Sequence, residues 1–252
     1  PKERASFKFT NITKFNTNLP SSSIRSVRKD SFGNLWIGCY GTGVSVMSTR
    51  PSLFRIFPYF KDGHMITLPR SVYGISTEND HLWLGGDNEV ALFTNGHFSR
   101  SWNLGESLST VNAIYIDSKK HLWIGLNDFG AIRFSPGNGQ MIHIGQMLKY
   151  QDVHAFLEGK NGKMWIGSDI GLFSYQDGIV TKEERFNSKM TSGTIYTLAS
   201  DQEGRIWVGT IGGGVFVFDY NGNLVSHLCM KNGFPTNRVN HIVQDMNGGI
   251  WV

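Results

Sequence analysis

The residues that could do chemistry in this sequence are scattered. None of the eight histidines has a second histidine three or four residues away, and neither HExxH, a CxxC pair nor Gly-x-Ser-x-Gly occurs. No metal, cofactor or catalytic residue is therefore expected. Gly41-Thr42-Gly43-Val44 and Gly212-Gly213-Gly214 lack the Lys-Ser/Thr tail of a phosphate cradle, and Asp245-Met246-Asn247-Gly248 lacks the downstream Glu of a calcium loop. What recurs instead is a set of polar or polar-tipped residues: Arg25, Tyr73, Asn112, His154, Tyr196 and Asn240. Hydrogen-bond donors, acceptors and aromatic edges in such a set suit recognition of a hydroxyl-rich molecule, which needs many modest hydrogen bonds and a stacking face.

The spacing of these residues follows a repeat. Six of the seven tryptophans fall in one motif: Leu35-Trp36-Ile37-Gly38, Leu82-Trp83-Leu84-Gly85, Leu122-Trp123-Ile124-Gly125, Met164-Trp165-Ile166-Gly167, Ile206-Trp207-Val208-Gly209 and Ile250-Trp251-Val252. The intervals of 47, 40, 42, 42 and 44 residues match a four-stranded propeller blade. Twelve residues before the Trp stands Ile24, Val111, Val153, Ile195 or Val239, with Val72 one residue nearer in the second repeat; each opens an inner strand, and the recurring polar residue comes second in it. Turns such as Asp30-Ser31-Phe32-Gly33 and Asp201-Gln202-Glu203-Gly204 join this strand to the Trp strand. The third repeat has Lys120 at the Gly position, the fourth has Gly159 at the Asp position, and the second is a residue shorter, so these three should turn differently.

Glycine-rich turns such as Asp128-Phe129-Gly130 and Asp169-Ile170-Gly171 then lead into a third strand and a looser outer strand, for example Leu53–Phe57 or Met141–Ile144. The expected fold is all-β: one β-propeller domain over 1–252, with about six repeats of four-stranded antiparallel blades in an incomplete ring. Phe7–Phe15 reads as an outer strand without inner partners, and the sixth repeat stops at Val252. Each large flat indole should fill the slot between neighbouring blades.

The start of each inner strand and the turn after each Trp strand belong to the same end of a blade. Tyr40, Asp87, Asn127, Asp128 and Asp169 therefore join the recurring polar residues as candidate ligand contacts near the channel mouth. An enzymatic propeller, a lyase or glycoside hydrolase, would need His154, His241 or a carboxylate pair gathered there. His241 lies one residue further along its strand and should face a neighbouring blade. An interaction scaffold would instead show an apolar rim.

With 24 Lys+Arg against 20 Asp+Glu the net charge is +4, and no run of five like charges marks a nucleic-acid surface. Cys39 and Cys229 fit neither a CxxC metal pattern nor a disulfide framework, and their pairing stays open on the sequence. No apolar stretch is long enough to cross a bilayer, so any membrane segment would lie outside this sequence.

The combination of apolar inner strand, Asp-x-x-Gly turn, Leu-Trp-Ile-Gly and glycine-rich hairpin resembles the two-component regulator propeller repeat, most clearly from Ser23-Ile24 to Val46. Asn18-Leu19-Pro20 and Asn232-Gly233-Phe234-Pro235 are similar to that family's links between blades. The resemblance implies the periplasmic, ligand-sensing part of an inner-membrane hybrid histidine kinase of Bacteroidetes type. It further implies a poly- or oligosaccharide fragment as ligand, a homodimer in the full-length receptor, and no catalysis in this region.

Overall fold

The computed structural model describes residues 24–29, 35–39, 43–47, 59–61, 64–66, 72–95, 97–105, 110–245 and 247–252, with side chains described from residue 72 on. The chain forms two compact units, 1–58 and 59–252. In the first, β1 (Ile24–Lys29), β2 (Leu35–Cys39) and β3 (Gly43–Met47) make an antiparallel sheet in that order. The expected turn at Asp30–Gly33, the strands at 7–15 and 53–57, and Tyr40 lie outside the described residues.

The second unit opens with a hairpin, β4 (Tyr59–Lys61) and β5 (His64–Ile66). Four antiparallel four-stranded sheets follow, each in sequence order. Sheet I is β6 (Val72–Glu78), β7 (His81–Gly86), β8 (Glu89–Thr94) and β9 (His97–Asn103). Sheet II is β10 (Val111–Ile116), β11 (Leu122–Leu126), β12 (Gly130–Ser135) and β13 (Gln140–His143). Sheet III is β14 (Val153–Glu158), β15 (Met164–Ser168), β16 (Gly171–Gln176) and β17 (Ile179–Lys182). Sheet IV is β18 (Ile195–Ser200), β19 (Ile206–Thr210), β20 (Gly214–Phe218) and β21 (Leu224–Leu228). The sixth repeat forms only a two-stranded sheet, β22 (Val243–Gln244) with β23 (Ile250–Trp251). These are propeller blades, and among the described residues no sheet closes on itself. A single helical turn, Glu184–Asn187, anchors Phe186 between sheets III and IV.

The motif is explained by the alternation of side chains across a strand. In β11, Leu122 and Ile124 face sheet I, packing with Trp83 and Val90. Trp123 faces sheet III, packing with Val153, Phe156 and Ile166. Trp165 likewise packs on Ile195, Leu198 and Phe216 of sheet IV. The Gly of the motif shares the Trp face, and there the next inner strand comes closest. A Cβ on Gly125 would sit 2.4 Å from the Val153 carbonyl oxygen, and one on Gly167 2.6 Å from Ile195 Cγ2. Trp and Gly thus form one socket: a broad plate beside a gap into which the following blade's first apolar residue fits.

The Asp of the turn also holds the indole, a tie that the backbone role of Asp alone does not suggest. Trp123 Nε1 donates to Asp117 Oδ2 at 2.8 Å, Trp207 Nε1 to Asp201 Oδ2 at 2.7 Å and Trp251 Nε1 to Asp245 Oδ2 at 2.8 Å. The other carboxylate oxygen closes the turn, as where the His121 and Arg205 amides donate to Asp117 and Asp201. Where the Asp is missing the turn changes as expected. In sheet I a two-residue Asn79–Asp80 turn leaves Trp83 Nε1 buried and unpaired among the described residues. In sheet III, Asn161 (φ 69°) and Gly162 (φ 71°) shape a wider turn. The third repeat corrects the expectation. Lys120 takes φ 69° and donates to the Asp117 carbonyl at 2.9 Å, as Gly204 does to Asp201, so the turn survives with a non-glycine residue in the left-handed region.

Burial of the indoles is uneven. Trp83, Trp123 and Trp165 are buried, Trp207 is half-buried, and Trp251 is 66% exposed. The expectation of equivalent filled slots holds for Trp83, Trp123 and Trp165.

Candidate functional site

In every complete inner strand the second residue sits on a β-bulge. Val153 pairs with Ser168 and Ala155 with Gly167, so one step on β15 is matched by two on β14, and His154 is the extra residue. The same offset singles out Arg25, Tyr73, Asn112 and Tyr196. A bulge takes its extra residue out of the ladder and changes which face the strand presents. Accordingly Val153 packs toward sheet II and Ala155 toward sheet IV. The bulged residue is left belonging to neither core. The sequence carried a sign of this: Val111/Ile114, Val153/Phe156 and Ile195/Leu198 break the strict alternation of a regular strand.

The backbones of successive sheets approach most closely at these first strands, so bulged side chains of neighbouring blades can meet. His154 and Tyr196 do. Their rings stack with centroids 4.3 Å apart and planes at 22°. Burial pushes the His154 imidazole below its ordinary pKa, against the pull of Asp152 and Asp169, which favour the charged form. The Asn112 amide nitrogen and one Asp169 carboxylate oxygen are buried without a hydrogen-bond partner among the described residues.

The antiparallel order puts the turns after β11 and β15 at the same end as the bulges. There Asn127 donates to Asp128 at 2.8 Å, and the Asp128 amide donates to Asp152 at 2.7 Å. Asn127 and Asp128 are thus engaged with one another, which fits their role in the turn. Asp152, absent from the sequence expectation, ties the link before β14 to the turn of sheet II. It could have been found only from this contact.

The remaining candidates are less gathered. Tyr73 is 56% exposed and Asp87 is exposed in the turn of sheet I. Arg25 lies in the first unit. Asn240 departs from the expected inner strand. Residues 239–242 form no strand, Asn240 is exposed, and Arg238 Nε donates to its side chain at 3.4 Å. His241 is exposed in the same segment. This stretch is held by buried Val239 and Ile242, and the Ile242 amide donates to Thr197 Oγ1 at 3.0 Å in place of a ladder.

Residues 18–41, 189–212 and 233–252 match the family model described as two component regulator propeller. Three of the chain's repeats thus carry the two component regulator propeller signature. The three matching segments are those whose sequence keeps the Asp-x-x-Gly pattern, at Asp30, Asp201 and Asp245, whereas the three repeats that depart from it lie between the first and second of these segments. Among solved structures, the repeats are similar to the extracellular domain of a hybrid two-component system from B. thetaiotaomicron. That match has 28% identity and a TM-score of 0.68, and it covers 92% of this chain and 32% of that one. A second extracellular domain from that bacterium is similar at 20% identity and TM-score 0.60, over 91% of this chain and 36% of that one. Virginiamycin B lyase from Staphylococcus aureus shares the fold at 13% identity and TM-score 0.61, over 91% of this chain and 76% of the lyase. This chain spans about a third of the length of the two extracellular domains. Among curated proteins no match was found.

Proposed function

We propose that these repeats form one propeller that recognises a ligand in the extracytoplasmic part of a two-component signalling receptor. The observation that carries the reading is the His154–Tyr196 ring pair on bulged inner-strand positions, together with Asn112 at the same position of the preceding sheet and Asp169, each with a buried polar atom unpaired among the described residues. Buried polar atoms are normally satisfied, so a donor and an acceptor left open at the same end of the blades as the stacked rings favour a ligand that brings both. A hydroxyl-rich poly- or oligosaccharide fragment does. The likeness to an extracellular domain of a hybrid two-component system supports the receptor setting. No described helix is long and apolar enough to cross a membrane.

The region itself is read as non-catalytic. The matches to the two component regulator propeller model and to an extracellular domain of a hybrid two-component system support this. In the full receptor, an inner-membrane homodimeric histidine kinase with this region in the periplasm, the ligand must favour one arrangement over another, since equal affinity for both transmits nothing.

Calorimetry with glycan fragments on the wild-type chain and on Arg25→Ala, His154→Ala and Tyr196→Ala tests the site. Affinity should fall in the His154 and Tyr196 variants. Unchanged affinity in all three removes the site, and no heat with any glycan removes the ligand class.

A further inference from the structure

At the same end of the blades, beside sheet II, the link from β13 to β14 folds against the turn at Asp128–Gly130. A Cβ on Gly130 would lie 2.4 Å from the Leu148 carbonyl oxygen, so glycine there lets the link settle. Leu148 is fully buried, and the Gly130 amide donates to the Gln151 carbonyl at 2.9 Å. Lys149 and Tyr150 are therefore presented between two fixed points. Beside them lies a depression of about 570 Å³, walled by Phe129, His143, Gln146, Lys149 and Tyr150.

Two features of the depression point to a ligand. Tyr150 holds φ 67°, a conformation that a bulky residue rarely adopts, yet the residue is 66% exposed and gains little from packing. The wall carries cationic Lys149 and no carboxylate, with the ammonium 5.0 Å from the centre of the Tyr150 ring. Aromatic faces take rings that have an apolar face, and an uncompensated ammonium takes an anion.

We propose that this depression is a binding site, distinct from the His154–Tyr196 mouth, for a small carboxylate carried on a six-membered ring that has an apolar face. The ring lies against Tyr150 and Phe129, and the carboxylate pairs with Lys149. This does not depend on the receptor reading.

The test uses the whole chain with benzoate and glucuronate, each against its uncharged amide, followed by NMR or calorimetric titration. At least one acid should bind about tenfold more tightly than its amide, and which one does tells an aromatic from a saturated ring. Lys149→Gln should erase that preference. Tyr150→Gly should weaken binding while raising the unfolding midpoint, because glycine accepts the left-handed conformation without strain. Acids that bind no better than their amides, or a preference that survives Lys149→Gln, would overturn the site. So would affinity lost in His154→Ala but kept in Lys149→Gln, which would place the carboxylate at the mouth.

Discussion

Sheets II to IV and the last two-stranded sheet carry nearly the same words, yet fold to different degrees. In the last sheet the turn is complete: the Gly249 amide donates to Asp245 at 2.8 Å and the Trp251 indole reaches the other oxygen. These bonds, the indole first, hold the Asp245 carboxyl below the ordinary range. The strands nevertheless pair at only two positions, and the ring of Trp251 faces solvent. In sheet III the turn lacks its Asp altogether, yet Trp165 is 2% exposed and its sheet has four full strands. Turn and indole tie are local properties of about seven residues. The burial of Trp165 comes from the apolar side chains of sheets III and IV packed around it.

The comparison can be broken most directly at the indoles. Trp165→Ala should destabilise by about 3–5 kcal/mol, as for other buried aromatic truncations, while Trp251→Ala should change little. Equal losses in denaturant unfolding would show that the two slots are alike after all.

Next in size is the socket glycine. Gly125→Ala forces a methyl toward the Val153 carbonyl oxygen and should cost about 1–3 kcal/mol. Gly137→Ala, in a turn with open space around it, is the control and should be near neutral. A tolerated Gly125→Ala in thermal melts would mean that blades slide apart more easily than their packing implies.

Replacing the turn Asp sharpens the comparison further. Asp117→Ala strands the buried Trp123 N–H and should cost about 1–3 kcal/mol, whereas Asp245→Ala leaves the Trp251 N–H to water and should cost less. Unfolding midpoints of the two variants decide it.

The smallest effect concerns pH. The folded pKa of His154 is depressed by burial, so its neutral form contributes stability above the ordinary imidazole range. That contribution is lost as pH falls through the folded value. His154→Gln should flatten the acid side of the stability profile below about pH 6.5, and Asn240→Gln, at the exposed counterpart, should leave it unchanged. Matching profiles for wild type and His154→Gln would contradict the assignment.

Much of the candidate site could be read as a list and little of it as a place. The period of the tryptophans put Asn112, His154 and Tyr196 at one position of successive strands, which the bulges bear out. Side-chain pattern alone did not show that this position leaves the ladder. Nor did it show that His154 would stack on Tyr196 while Asn240, in the same column, would sit in an irregular segment. The contribution of Asp152 came from a contact across 24 residues of chain, which no local motif records.

What the sequence determined by itself was the repeat, the strand order within each blade and the Asp-bound turn, because hydrogen bonds within a few residues and side-chain alternation suffice for these. Tertiary structure alone decided which indoles are buried, why five of the motifs carry Gly two residues after the Trp, and which polar residues meet. Those depend on how closely the next sheet approaches, and that distance is set by faces contributed from some forty residues away.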